Sequence, residues 1–377
     1  MGLFVLKSYE DAYMPNEFHI KTQLDRTKRI RELLRELPDV CSDYFLHIEQ
    51  LTSALTRMSY AYDLKLFFQY LSDEIPKFSG KPIQSFSVDD LNKITKHDIE
   101  RFARYLTYYV KNETSHDGLV ESREYTNNEY GIKRKFASLR AFYRYLFSEG
   151  LIASNTAELV PLPKLHEHAI IRLDIDEVAR ILDLAENGHG LPKTYQKYHQ
   201  VTKRRDLAML SLFLGTGIRI SECVGLNIDD IDFEQNAFVV TRKGGKEVIL
   251  YLSDEVADAM KAYLEERIKI EALEGHENAF FLSIQRRRIT QRAVENMVKK
   301  YSQIAAPLKR KISPHKLRST YGTNLYRETG DIYLVADVLG HSDVNTTRKH
   351  YAAIAEDHRR IAAQKTILRD DKAHNND

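Results

Sequence analysis

Two prolines two residues apart, in Pro161-Leu162-Pro163-Lys164-Leu165-His166-Glu167-His168, do most to limit the folds open to this chain. Each removes a backbone N–H donor and fixes its own φ, so neither a helix interior nor a central strand can run through them. The stretch reads as an extended connection, with one folding unit before it and another after it. A length of 377 residues agrees, because at roughly 150 residues per domain it favours two domains, with three still open.

Before the prolines the pattern is helical. Tyr60, Leu64, Phe67, Phe68 and Leu71 recur at helical spacing, and so do Ile99, Phe102, Ala103 and Leu106, which predicts a helix over 97–110 with Thr95 as its cap. Over 131–147, Phe136, Leu139, Tyr143 and Leu146 form one stripe at spacings of 3, 4 and 3, while Lys133, Arg140 and Arg144 lie on another face. That describes an amphipathic helix with its apolar side inward and its basic side free. Its aromatics are assigned to the core. After the prolines, helices are predicted over 174–185, capped by Asp174, and over 204–214. Two β-branched runs, 237–241 and 247–251, then flank Arg242-Lys243-Gly244-Gly245-Lys246 and predict a β-hairpin. Helical segments complete the chain. The expected fold is mainly α with a small antiparallel β-sheet in the second domain. The expected boundaries are an N-terminal extension over 1–45, a helical domain over 46–163, a linker over 164–170 and a second domain over 171–377.

Composition excludes several classes. A hydrophobic fraction of 43% is enough to bury a core, which rules out a wholly disordered chain. No stretch approaches the ~18 uncharged apolar residues of a membrane helix, and residues 1–7 are too short for a signal peptide. Cys41 and Cys223 are the only cysteines, so there is no disulfide framework and no cysteine-rich metal site, and a reducing cytoplasm is the expected location. The net charge of +2 says nothing about partners, but its distribution does. Between residues 286 and 318 eleven Lys or Arg face the single acid Glu295, and between 131 and 148 five face none. Segregated positive charge on a near-neutral chain suits a polyanion-binding face, with Lys133, Arg134, Arg140, Arg144, Arg286, Arg287, Arg288 and Arg292 as its candidates. A solvated helix surface is the other reading, and charge alone leaves both open.

Four segments of the second domain can carry chemistry. In Gly215-Thr216-Gly217-Ile218-Arg219-Ile220-Ser221-Glu222 a glycine turn joins two helices with Arg219 at the junction. Lys243 sits in the hairpin turn. In Pro314-His315-Lys316-Leu317-Arg318-Ser319 the His and second Arg are three apart, on one helical face and near a helix N-terminus, where backbone amides favour an anion. Leu339-Gly340-His341-Ser342 precedes Tyr351, which stands ten residues after the His. Each fragment alone also suits a plain structural role, such as a tight corner or a soluble turn.

In this order the segments resemble the tyrosine recombinases, the integrase family that includes the Xer proteins and phage integrases. The likeness covers about residues 170–355, and more loosely the helical first domain. It implies that Arg219, Lys243, His315, Arg318, His341 and the nucleophile Tyr351 form the active site, and Glu222 matches an acidic position common in the family. The interval from His341 to Tyr351 is ten residues where nine is frequent. The resemblance further implies a two-domain clamp, like a C, around double-stranded DNA, and a homo-tetramer, or a hetero-tetramer with a related recombinase, on synapsed sites. Ile354, Ile361 and Leu368 recur every seven residues in the tail. That seam suits either folding back on its own domain or the exchange of C-terminal segments that the resemblance implies.

The chemistry is consistent with this. Attack on a phosphodiester builds negative charge on its oxygens, and two guanidiniums can bind those oxygens bidentately. His315 and His341 can donate hydrogen bonds or accept the phenol proton. Tyr351, with an ordinary pKa near ~10, needs such a cationic setting to act as a nucleophile. Its attack stores the bond energy as a 3′-phosphotyrosine, so no ATP is required. No acidic cluster or His/Cys spacing suggests a metal, and no cofactor is expected. Two rival readings remain: a type IB topoisomerase-like strand transferase, and a catalytically silent DNA-binding architectural protein.

Overall fold

The computed structural model describes residues 17–114, 120–166, 171–242, 245–309, 311–340 and 344. The chain forms two compact units that divide between Glu167 and His168, just after the proline pair.

The first unit contains α1 (Glu17–Leu34), α2 (Asp39–His47), α3 (Ala54–Glu74), α4 (Val88–Asn92), α5 (Lys96–Tyr105), β1 (Tyr108–Thr114), β2 (Val120–Thr126) and α6 (Glu129–Ser148). α3 is central: it buries Leu64, Phe67, Phe68 and Leu71 and packs against α1, α5 and α6. The α6 stripe of Phe136, Leu139, Tyr143 and Leu146 is buried throughout, as its spacing predicts. Phe67 meets Phe102 edge to face at 5.1 Å, an arrangement that aligns the positive ring edge with the negative face. Ile30 and Leu33 of α1 and Cys41 and Tyr44 of α2 join the same core, so α1 and α2, which begin ahead of the expected boundary at residue 46, pack as part of the helical domain. Thr95 caps α5 reciprocally. Its Oγ1 accepts from the Asp98 N–H at 3.2 Å, while its own N–H donates to the Asp98 carboxylate at 2.8 Å.

Two expectations for this unit need correction. The helix predicted over 97–110 ends at Tyr105 and gives way to an antiparallel hairpin, which pairs Tyr108 with Thr126 and Tyr109 with Tyr125. Leu106 and Val110 are four apart and mimic a helical stripe. Asn127 decides otherwise: its Nδ2 donates to the Leu106 carbonyl at 2.7 Å across 21 positions of sequence, which local periodicity cannot reveal. Tyr105, Tyr109 and Tyr125 then stack at 5.2 and 5.4 Å, fastening the strands to α5. The basic side of α6 is also less free than its pattern suggests. Arg134 forms a two-pronged bond to buried Asp63 at 2.7 and 2.6 Å, which Ser138 completes at 2.6 Å. Arg140 donates to the carbonyls of Ala157 and Val160 at 3.2 and 2.6 Å and so holds down the chain after α6.

The second unit contains α7 (Ile175–Asn187), α8 (Lys193–Thr216), α9 (Ile220–Gly225), β3 (Ile231–Asp232), β4 (Ala237–Thr241), β5 (Glu247–Tyr251), α10 (Asp254–Arg267), α11 (Gln291–Ala305), α12 (Pro314–Thr329) and α13 (Ile332–Leu339). α8 runs through its middle, burying Ala208, Met209, Leu212 and Phe213 and packing against α7, α10 and α12. The sheet is antiparallel in the order β3-β4-β5. The predicted hairpin is present, in register from Ala237 opposite Tyr251 to Thr241 opposite Glu247. Among the described residues no helix is long and apolar enough to cross a membrane.

The Asp63 network predicts a stability effect. Asp63→Ala removes the acceptor for both Arg134 and buried Ser138, so the full chain should lose about 1–3 kcal/mol of stability. A thermal melt unchanged from wild type would show that the network contributes nothing.

Candidate active site

The site is built around the end of α13. α8 ends at Gly217, whose left-handed backbone (φ 62°) turns the chain into α9. A Cβ at this position would stand 2.5 Å from the Tyr321 ring and 2.8 Å from the Leu339 side chain, so only glycine lets α8, α12 and α13 approach so closely. Arg219 comes next as the N-cap of α9. On α12, Pro314 occupies the first turn, which puts exposed His315 and buried Arg318 within one turn of each other.

Among the described residues, three guanidiniums converge on α13. Arg219 donates through one Nη to Glu222 and through the other to the carbonyl of Gly340, both at 2.8 Å. Glu222 is buried and also accepts from the Arg219 backbone N–H at 2.9 Å, so a single carboxylate fixes both ends of the arginine. Arg318 is 5% exposed and donates to the carbonyls of Gly217 and Leu339. Arg242 donates to Asp337 at 3.2 Å and to Val338 at 2.6 Å. A helix C-terminus carries unpaired carbonyls and partial negative charge, and cations bind there favourably. Burial is the main influence lowering the Arg242 pKa from its ordinary value; nearby Arg219 adds to it and Glu222 opposes it.

The structure therefore brings together Arg219, Arg318 and Glu222, as the motif spacing anticipates, directly before His341 in the chain. Lys243, His341 and Tyr351, and the tail residues Ile354, Ile361 and Leu368, lie outside the described residues. Sequence reasoning missed Arg242. The only signal was its place in the basic hairpin turn, and charge did not single it out there.

The polyanion candidates divide. Arg286 and Arg287 are exposed, and so is Arg292, which pairs loosely with Glu295 at 3.2 Å. Lys133 is half-buried on α6, and Arg144 reaches Glu158 at 3.5 Å. Arg288 instead donates inward, to the carbonyls of Val224 and Leu226 at 3.0 and 2.8 Å and to Asn227 at 2.6 Å. Burial holds its pKa down at about 10.

Residues 172–358 match the model of the phage integrase family. The chain is 32% identical over 324 residues to the tyrosine recombinase XerC of Caldanaerobacter subterraneus subsp. tengcongensis, covering 83% of this chain and 82% of that protein. It is 30% identical over 367 residues to the tyrosine recombinase XerS of Streptococcus uberis, covering 90% and 98%. This chain belongs to the tyrosine recombinase family. It is a site-specific recombinase, and neither rival reading is favoured. Its fold is shared by the XerH recombinase bound to its palindromic difH substrate (TM-score 0.59, 19% identity, covering 83% of this chain and 80% of that one). The integrase of transposon Tn1549, in complex with circular intermediate DNA, is similar too (TM-score 0.59, 20% identity, covering 86% and 99%).

In this recombinase the Gly217 turn fixes where two arginines point. Gly217→Ala places a Cβ against Tyr321 and Leu339 and forces a left-handed alanine, at a cost of about 1–3 kcal/mol. The thermal midpoint should fall accordingly; an unchanged midpoint would mean that the three helices can move apart without penalty.

Proposed function

We propose that this recombinase cuts and rejoins one DNA strand at a time through a 3′-phosphotyrosyl intermediate on Tyr351. The reading rests on one observation above all: Arg219 and Arg318 are both anchored to the Leu339–Gly340 turn, immediately ahead of His341. Two guanidiniums held at fixed positions suit the charge that grows on a phosphodiester under attack, because their orientation is set before the reaction begins. In this scheme Arg219 and Arg318 bind the non-bridging oxygens. His315 and His341 donate to them or take the phenol proton. The O–P bond to tyrosine forms as the P–O5′ bond breaks, and Lys243 gives its proton to the leaving O5′.

The second unit, residues 171–377, carries this chemistry. The first unit, centred on residues 46–163 with α1 and α2 packed onto it, is assigned to binding the duplex core, and the two close on DNA as a clamp. Lys133, Arg144, Arg286, Arg287 and Arg292 are the candidates for phosphate contacts, whereas both Nη atoms of Arg134 are committed to buried Asp63. Arg140 and Arg288 keep structural roles, because their donors already serve main-chain carbonyls within each unit. Four protomers of this chain, or of it and a related recombinase, assemble on paired sites in the cytoplasm and exchange the segments that carry Ile354, Ile361 and Leu368. Sequencing the DNA that co-purifies as a covalent adduct would identify the recognised site. Synapsis of two such sites separates recombination from topoisomerase action.

Tyr351→Phe removes one oxygen and keeps the ring, so fold and DNA affinity should persist while the covalent adduct on a nicked suicide substrate disappears. An adduct that survives, or that maps by peptide analysis to Tyr333 or Tyr326, rules out Tyr351 as the nucleophile. Cleavage should also continue in excess EDTA, since arginines supply the charge a divalent ion would otherwise provide. Loss of cleavage on chelation and its return with magnesium would point to a nuclease mechanism.

A further inference from the structure

We infer that Arg242 is a positioning residue for strand cleavage, acting through its chain neighbour Lys243. The inference rests on the catalytic role proposed above for Lys243. A β-hairpin turn that carries a general acid needs something to fix it, since its lysine must meet a leaving oxygen within hydrogen-bond reach. Among the described residues, backbone bonds close the base of the hairpin. The Arg242 N–H donates to the Lys246 carbonyl at 2.8 Å, and the Gly245 N–H to the Arg242 carbonyl at 3.1 Å.

The Arg242 side chain supplies a tether outside the hairpin. Its two Nη atoms hold the carbonyls of Asp337 and Val338, nearly a hundred positions away, just before the carbonyls that hold Arg318 and Arg219. The guanidinium is half-buried against Gly340, where an added Cβ would collide with it, so the contact is close as well as bonded. The residue before Lys243 and the residue before His341 are thus in contact. A single fork couples the turn bearing the proposed acid to the turn bearing a proposed phosphate ligand. Lysine could not replace it fully, because an ammonium is a compact point charge without the planar fork that grips two carbonyls at once.

Replacing the leaving O5′ by sulfur tests the coupling. A thiol has an ordinary pKa near ~8.5, so it departs as thiolate and needs no proton from Lys243. The probe is a nicked duplex with the sequence recovered from the covalent adducts, in ordinary and bridging 5′-phosphorothiolate forms. With the ordinary phosphodiester, Arg242→Ala should cleave about 10–100-fold more slowly, with gel-shift affinity unchanged, as a misplaced catalytic group does. The sulfur substrate should restore its rate to near wild type, and Arg242→Lys should fall between the two. Equal losses on both substrates, or no loss on either, overturn the inference. Lys243→Ala serves as the control for the premise. If sulfur does not rescue it, the acid assignment fails and the inference fails with it. If sulfur rescues Lys243→Ala but not Arg242→Ala, the coupling alone is refuted. Should Arg242→Ala fail to fold in a thermal melt, Arg242→Lys and Arg242→Gln carry the same comparison.

Discussion

The last turn of α13 offers a row of main-chain carbonyls from Asp337 to Gly340, and three guanidiniums from separate parts of the chain donate to them. No local cap could do this, because the donors come from residues 219, 242 and 318, and only the folded unit gathers them. A hydrogen bond from a charged donor contributes about 1.5–3 kcal/mol, and each bond here also settles where an arginine stands. The same bonds that close the helix end therefore set the geometry of the site. Glu222 completes the arrangement from the other side as a buried carboxylate beside Arg219, so the cluster does not face its own repulsion unopposed.

Gly217 and Gly340 make this approach possible. Both adopt left-handed backbone, and at both an added Cβ would strike a neighbour that the site needs: Tyr321 and Leu339 at one, the Arg242 guanidinium at the other. These glycines were visible in the sequence as a Gly-Thr-Gly corner and a Leu-Gly-His run. What could not be read there was what each lies against: Gly217 against α12 and α13, and Gly340 against the Arg242 guanidinium at the end of β4. A turn motif records the backbone conformation, whereas the close packing that makes it indispensable depends on side chains a hundred residues distant.

The same contrast explains which elements were legible. The hairpin of β4 and β5 stood out because two β-branched runs flank a Gly-Gly turn, and its partners are only a few residues apart. The hairpin of β1 and β2 did not, because its first strand continues the helical spacing of α5 and its deciding bond comes from Asn127. The α6 stripe was legible as core because periodicity reports burial directly. Of the site, Arg219, Arg318 and Glu222 could be picked from motif order. Arg242 could not, since its significance is the pair of carbonyls it reaches rather than any pattern around it.

The charge windows mix two kinds of cation. Of the cations between 286 and 318, Lys300 serves the fully buried carboxylate of Asp206 at 3.0 Å, beside Tyr301 at the same distance. Lys309 bridges Asp174 and Glu177 at the start of α7, while Arg288 and Arg318 serve main-chain carbonyls. A cation engaged inside the fold cannot release a counterion from DNA without leaving a buried acceptor or carboxylate unpaired, which costs far more than one phosphate contact returns. An exposed pair such as Arg292 with Glu295 is different, because it is worth little and can be exchanged for a phosphate. In the proposed DNA-binding role, exposed cations such as Arg286, Arg287 and Arg292 would therefore carry the phosphate contacts, whatever the size of the local surplus. Part of what looks in the sequence like a binding face is what holds α7, α8, α11 and α12 in place behind it.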